Sequence, residues 1–81
     1  MTVHPLDVVV LDHDLPDHGV RRGDLGAVVE VHGSNSIAVE FVAASGRPQA
    51  LVTLRPTDLR PVADDDLVTV RPAGSPIRRD G

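Results

Sequence analysis

Apolar residues in this chain come in short runs that alternate with polar ones and stop at Gly, Pro, Asp or Ser, the period-two pattern of half-buried strands. "LDVVVL" predicts a first strand over Leu6–Leu11, with Leu6, Val8 and Val10 on one face. "GAVVEVH" predicts a second over Gly26–His32, in which Ala27, Val29 and Val31 alternate with Val28, Glu30 and His32. "IAVEFV", Ile37–Val42, predicts a third with Ile37, Val39 and Phe41 inward and Glu40 outward, and "QALVTL", Gln49–Leu54, a fourth. "GSNS" and "AASGRP" read as the turns on either side of the third strand, with Gly46 at positive φ in the latter. "RPTDLRPV" predicts one tight helical turn with Thr57 and Asp58 at its start. Leu59 then plugs inward, and Pro61 and Val62 begin a short fifth strand. Seven prolines, from Pro5 to Pro76, leave no window for a sustained helical repeat.

These elements predict an all-β fold: a small SH3-like five-stranded barrel with a long first loop, "DHDLPDHGVRRGD", and a single 3-10 turn before the last strand. An OB-fold is the main competitor, but it needs more residues and a longer helix between its third and fourth strands. The barrel is expected over residues 1–62. Residues 63–81 read as an acidic linker, "ADDD", an extra strand at 67–71, "LVTVR", and a flexible tail, "PAGSPIRRDG". At 81 residues the chain makes one domain, and a domain of this size buries only about 60% of its unfolded surface. It has no cysteine, so neither a disulfide nor a thiolate metal cage is available, and self-association becomes an expected source of stability.

Charge narrows the function. Eight basic residues, all arginine, stand against 12 acidic ones, for a net charge of −4. That balance argues against a protein that wraps duplex nucleic acid through many cationic contacts. Phe41 is the one aromatic residue, so the chain offers neither stacking platforms for single-stranded bases nor an aromatic groove for Pro-rich peptides. The start of the chain, "MTVHPLDVVVLDHD", shows no basic region followed by a long apolar segment, and the longest apolar run is Val8–Leu11. The expectation is a soluble cytoplasmic protein.

"RRGDLGAVVEV" poses a backbone problem, because the chain must leave a long loop and enter a curved strand. Gly23 suits positive φ, Asp24 is placed to bond its own downstream backbone in an Asx-type turn, and Gly26 suits a bulge or a close approach. These three residues therefore read as structural. "GDLGAVVEV" followed by "IAVEFV" looks like the Gly-Asp-x-Gly-x-Val opening of SH3-like and KOW-type barrels. More closely, "LPDHGVRRGDLGAVVEV…VEFV…GR…ALVTL…DLRPV" resembles the bacterial domain of unknown function 4926 family, over about Leu6 to Val62. The resemblance implies the same small barrel. It implies no reaction, cofactor or catalytic residue, since the family carries none. The chain departs from the family pattern near Ile37, where many members have an aromatic, and its tail after Val62 lies outside the resemblance.

Candidate chemistry concentrates in the first loop. His13 and His18 lie among Asp12, Asp14 and Asp17, residue types that hold Zn²⁺, Ni²⁺ or Mn²⁺. Their spacing fits no ligand motif, Pro16 stiffens the middle and no third ligand is indicated, so no metal is assigned. His32 reads as a surface histidine paired to a carboxylate on the Glu30 face. Ser34, Ser36 and Ser45 fall in turns, and no nucleophile, oriented base and oxyanion site converge, so neither an enzyme nor a cofactor is expected. Arg22–Asp24 spells "RGD", which three letters leave uninformative. Arg21, Arg22, Arg47, Arg55 and Arg60 read as solvated partners of Asp17, Asp24 and Asp58, with a basic rim as the alternative. Asp64–Asp66 lack the spacing of a calcium loop and read as a solvated linker.

The binding candidates are His13, Asp17, His18, Arg21 and Arg22. The leading function is a non-enzymatic interaction module, an accessory, regulatory or antitoxin-like partner of another bacterial protein. Homo-oligomer contacts are expected through the barrel edge or the tail strand 67–71. The alternative is a KOW-like RNA or ribonucleoprotein binder, and a metal-assisted enzyme or carrier built on His13 and His18 ranks third.

Overall fold

Val8–Leu11 (β1) is the strand around which the others are arranged in the computed structural model, which describes residues 2–68 and 70–73. β2 (Leu25–His32), β3 (Ser36–Val42) and β4 (Pro48–Leu54) follow as an antiparallel meander on one side of β1. β5 (Leu59–Pro61) returns to its other side, pairing Val9 with Pro61, Val10 with Arg60 and Leu11 with Leu59. The result is all-β, five antiparallel strands in one open sheet of order β4-β3-β2-β1-β5, with β4 and β5 as its edges. Among the described residues no helix is long and apolar enough to cross a membrane.

The core lies on one face of this sheet. Val9, Leu11, Val28, Ile37, Val39, Phe41, Leu54 and Leu59 all point into it, so each of the five strands contributes. The inward set expected on the third strand, Ile37, Val39 and Phe41, is buried, as is Leu59 after the tight turn. Gly46 takes the expected positive φ, 88°.

Two strand expectations need correction, and the orientation of a third element is now fixed. Leu6 lies outside β1: His4–Asp7 forms a tight turn closed by the Asp7 amide donating to the His4 carbonyl, with Pro5 at the second position and Leu6 at φ 74° in the third. Leu6 is therefore left 87% exposed. Val8 and Val10 share a face as expected, and it is the face away from the core, because Val9 and Leu11 fill the inner positions. Finally, β5 opens at Leu59 and ends at Pro61, so Val62 lies beyond it.

The alternation expected along the second strand is broken by a bulge. Val28 pairs with Val39 but Glu30 with Ala38, so Val29 is an extra residue without an opposite number. A one-residue insertion reverses the face parity. Val28 before the bulge and Val31 after it consequently both face the core, and Val29 is left exposed.

The first loop is more ordered than its composition indicates. Pro16–His18 forms a 3-10 turn of its own, started by Pro16 and stopped by Gly19 at φ 70°, so the turn before β5 has a companion. Leu15 and Val20 bridge across it, and Val20 is 3% exposed in the core. The second 3-10 turn, Pro56–Asp58, begins with Pro56 and carries Asp58 at its third position, where the Asp58 carboxylate accepts the Arg55 amide at 2.8 Å. Beyond β5, the described residues Leu67, Val68, Val70 and Arg71 belong to none of the five strands. Thr69 and residues 74–81 of the expected strand and tail lie outside the described residues.

Candidate functional site

Between the first loop and the second 3-10 turn runs a chain of polar contacts. His13 Nε2 lies 2.7 Å from Asp58 Oδ1, and its Nδ1 lies 3.1 Å from the Asp14 carbonyl oxygen. A carbonyl can only accept, so this geometry suits an imidazolium that donates from both nitrogens. The His13 pKa is raised, first by the hydrogen bond to Asp58 and then by the one to the Asp14 carbonyl. Asp58 is lowered: desolvation pushes its carboxyl up, but the Arg55 amide and the His13 ring together outweigh it. Arg22 continues the network, its amide donating to Asp14 Oδ1 at 2.9 Å and its Nε standing 3.3 Å from Asp12 Oδ1.

The network joins elements far apart in sequence and carries a pH dependence of definite sign. A raised histidine pKa means that His13 stabilises the fold fully below its ordinary value of 6.5, and that this contribution is lost as pH rises through the folded-state value. A lowered Asp58 loses its contribution as pH falls below 3.8 through its own folded value. Thermal melts followed by circular dichroism should show the wild type losing stability relative to His13→Gln above pH 6.5. A difference between the two that stays constant across that range would refute a stabilising role for the His13–Asp58 contact.

Of the five binding candidates, His13 and Arg22 enter this network. The side chains of Asp17, His18 and Arg21 make no ion pair or hydrogen bond among the described residues; the His18 carbonyl accepts from Gln49, and the Arg21 amide donates to Asp24. Among the described residues no group of three or more His, Asp or Glu is placed to hold a metal ion. His32 Nε2 lies 3.3 Å from Glu30 Oε2, the surface pair expected. Gly23 has φ 94° and Gly26 sits against Val39 and Phe41, as the turn reading requires. Asp24 differs: its carboxylate reaches back to the Arg21 amide at 2.8 Å instead of forward.

The arginines are distributed in a way the sequence did not indicate. Arg71 pairs with Asp24, and Arg60 pairs with Asp66 through two contacts of 2.8 Å each. Asp17 has no arginine partner among the described residues. Asp66 is therefore a fixed clamp and not part of a solvated linker. Hydrogen bonds from Arg60, and then the Ala63 amide at 2.6 Å, hold its pKa at about 2. A bidentate arginine fork six residues away has no motif, and this clamp becomes readable only once β5 places Arg60.

A second feature is the sheet face away from the core. Val8, Ala27, Glu40 and Leu51 form one row across four strands, each opposite the next in the ladder. The next row places Arg60, Val10 and Leu25 across β5, β1 and β2. Val8 is 53% exposed and Leu51 61%, so this face presents apolar side chains around the Glu40 carboxylate, which has no partner among the described residues. Sequence reasoning missed it because the row emerges only when the register of all four strands is known.

A family model described as "Domain of unknown function (DUF4926)" matches residues 6–61. No curated protein and no solved structure matches the chain.

Proposed function

The chain belongs to the DUF4926 family, and from that premise we propose that it is a non-enzymatic interaction module, an accessory, regulatory or antitoxin-like partner of another protein. The observation that carries this reading is the row Val8–Ala27–Glu40–Leu51 on the solvent face of the sheet. An apolar row around a carboxylate that has no partner among the described residues matches a protein surface that brings apolar side chains and a cation. β4, which carries Leu51 of this row, is an edge strand whose outer backbone groups are open to an added strand.

The polar groups of the first loop support the same reading from the other side. His13, Asp58, Asp14, Asp12 and Arg22 are engaged with one another in holding loops together. For the fold we propose that the open sheet curls toward an SH3-like barrel. Support comes from the return of β5 to β1, from a core fed by both edge strands, and from the bulge at Val29, a device that sharpens strand curvature.

A tagged full-length chain recovered from its native lysate tests the function, with Leu51→Asp beside the wild type. The expected result is a stoichiometric protein captured by the wild type and reduced at least about tenfold by the variant, the effect of losing one interface anchor. Recovery of RNA without stoichiometric protein, with binding that falls steeply as salt rises, would establish the RNA-binding alternative instead.

A further inference from the structure

The chain contains eight arginines and no lysine, and the residues that follow them divide them into groups. Arg47, Arg55, Arg60 and Arg71 each precede a proline. Proline as the leaving residue has no N–H, and its ring crowds the scissile carbonyl, so arginine-directed serine proteases are blocked there. Arg78 and Arg79 stand at the far end, where a cut removes only the last residues. Internal cleavage by such an enzyme is therefore confined to Arg21 and Arg22, in the first loop. The Arg22 side chain is 72% exposed, and Gly23 after it is the least crowded leaving residue.

Exposure alone does not make the bond cleavable, because a protease takes its substrate as an extended strand. Here the segment is folded into a turn, closed by the Asp24 amide donating to the Arg21 carbonyl at 3.0 Å, with Gly23 at φ 94°. Two more bonds hold it against the start of the loop. The Arg22 amide donates to Asp14 Oδ1 at 2.9 Å, and the Gly23 amide to the Leu11 carbonyl at 2.8 Å. The Arg22 guanidinium adds an ion pair to Asp12. Asp12 and Asp14 flank His13, whose ring ties them to the second 3-10 turn through Asp58 Oδ1 at 2.7 Å. The Asp12 amide also donates to the Asp58 carbonyl at 2.8 Å, an anchor that does not titrate. The His13 contact is the anchor that does. Asp12, Asp14 and Arg22 surround it from the loop, and Asp58 and Arg55 from the turn.

We propose that Arg21–Arg22–Gly23 is a cleavage site for an arginine-directed endoprotease, held shut while the His13 imidazolium bridges Asp58 and the Asp14 carbonyl, and opened when that proton leaves. The reaction is hydrolysis of the Arg22–Gly23 amide. The hydroxyl of water joins the Arg22 carbonyl carbon, the C–N bond breaks, and the Gly23 nitrogen takes the proton. A neutral ring cannot donate to both oxygens, so its hold on Asp12 and Asp14, the two carboxylates that bind Arg22, weakens. The raised pKa of His13 sets the sign: the site is shut below 6.5 and opens as pH rises through the folded-state value. The cut leaves β1 on one piece and its ladder partners β2 and β5 on the other, so a central strand becomes releasable. No residue of the outer row around Glu40 takes part, so this inference does not rest on the proposed partner surface.

Trypsin acting on the full folded chain between about pH 6 and pH 9 tests this, with the cuts located by mass spectrometry. Each rate is divided by that for a free peptide of residues 19–26, which has no histidine and so removes the enzyme's own pH dependence. The first internal cut should follow Arg22 or Arg21. Its normalised rate should rise about two- to fivefold with pH, the effect of losing one exposed ion pair on the population of the open loop. His13→Ala should be cut at the high-pH rate throughout, and, because His13 is exposed, circular dichroism should show an intact fold. Hydrogen exchange separates local opening from unfolding. Corrected for intrinsic rates, the Arg22 and Gly23 amides should lose protection across this range, while the Val39 amide, on a strand paired on both sides, keeps its own. The proposal is overturned by no internal cut or an internal cut elsewhere, by a normalised rate indifferent to pH or to His13→Ala, or by Val39 opening in step with the loop.

Discussion

Phe41→Ala should leave this domain at the edge of unfolding. Phe41 is 3% exposed, belongs to the one core cluster, and sits on β3 between β2 and β4, opposite Ala50. Its ring is the only aromatic volume in the chain, so no neighbour is large enough to fill the space it leaves. Removing a buried Phe side chain costs about 3–5 kcal/mol in lost transfer free energy and cavity formation. For a chain of 81 residues, about 0.05–0.15 kcal/mol per residue gives a total stability of roughly 4–12 kcal/mol. The substitution therefore removes a large fraction of the whole, and Tm should fall by roughly 12–40 °C. Urea denaturation followed by far-UV circular dichroism measures it, since the chain has neither Trp nor Tyr to report by fluorescence. Phe41→Leu keeps most of the volume and should be much milder. Equal losses from the two variants would mean that Phe41 does not fill the core as described.

Why the sequence announced Phe41 and not Val9 follows from how each signal arises. On β3 the alternation Ile37, Val39, Phe41 against Ala38, Glu40 is unambiguous, because Glu40 marks the outer face. On β1 every residue is apolar, so alternation cannot tell the two faces apart. Only the pairing of β1 with both β2 and β5 decides that Val9 and Leu11 point inward. β2 adds a different obstacle: the bulge at Val29 inserts a residue, and period-two reasoning carried through it assigns the wrong face to one half of the strand.

The sites divide along the same line. Turn residues such as Gly23 and Gly46 were legible because positive φ is a local backbone demand met by one residue type. The Glu30–His32 pair was legible for a similar reason, two residues apart on one strand face. The His13–Asp58 contact spans 45 residues and the Arg71–Asp24 contact 47. Neither charge carries a mark of its partner until the strands bring them together. The outer row around Glu40 belongs to this second class, since it needs four registers at once.

Gly26 separates local from tertiary demands most sharply, and Gly26→Ala is the second substitution with a large expected effect. Its φ is not in the left-handed region, so alanine is allowed by its backbone and would even reduce the freedom of the unfolded chain, a gain of about 0.4–1 kcal/mol. Packing opposes this. A Cβ at position 26 would lie 2.5 Å from Val39 Cγ1 and 3.0 Å from Phe41 Cε1. Val39 is fully buried on a strand paired on both sides, so it has little room to yield. Overpacking of this kind costs about 1–3 kcal/mol, which exceeds the entropic gain over most of that range. The net result should be a loss of stability, larger still for Gly26→Val. A double variant isolates the cause: adding Val39→Ala to Gly26→Ala removes the clashing methyl, so the pair should be destabilised by less than the sum of the two single changes. Gly23→Ala provides the contrast, since nothing lies within 4 Å of its would-be Cβ and its penalty comes from φ 94° alone. Its loss should add to that of Val39→Ala without coupling. Additive behaviour at position 26 as well would show that Gly26 is there for its backbone and not for the approach of β3.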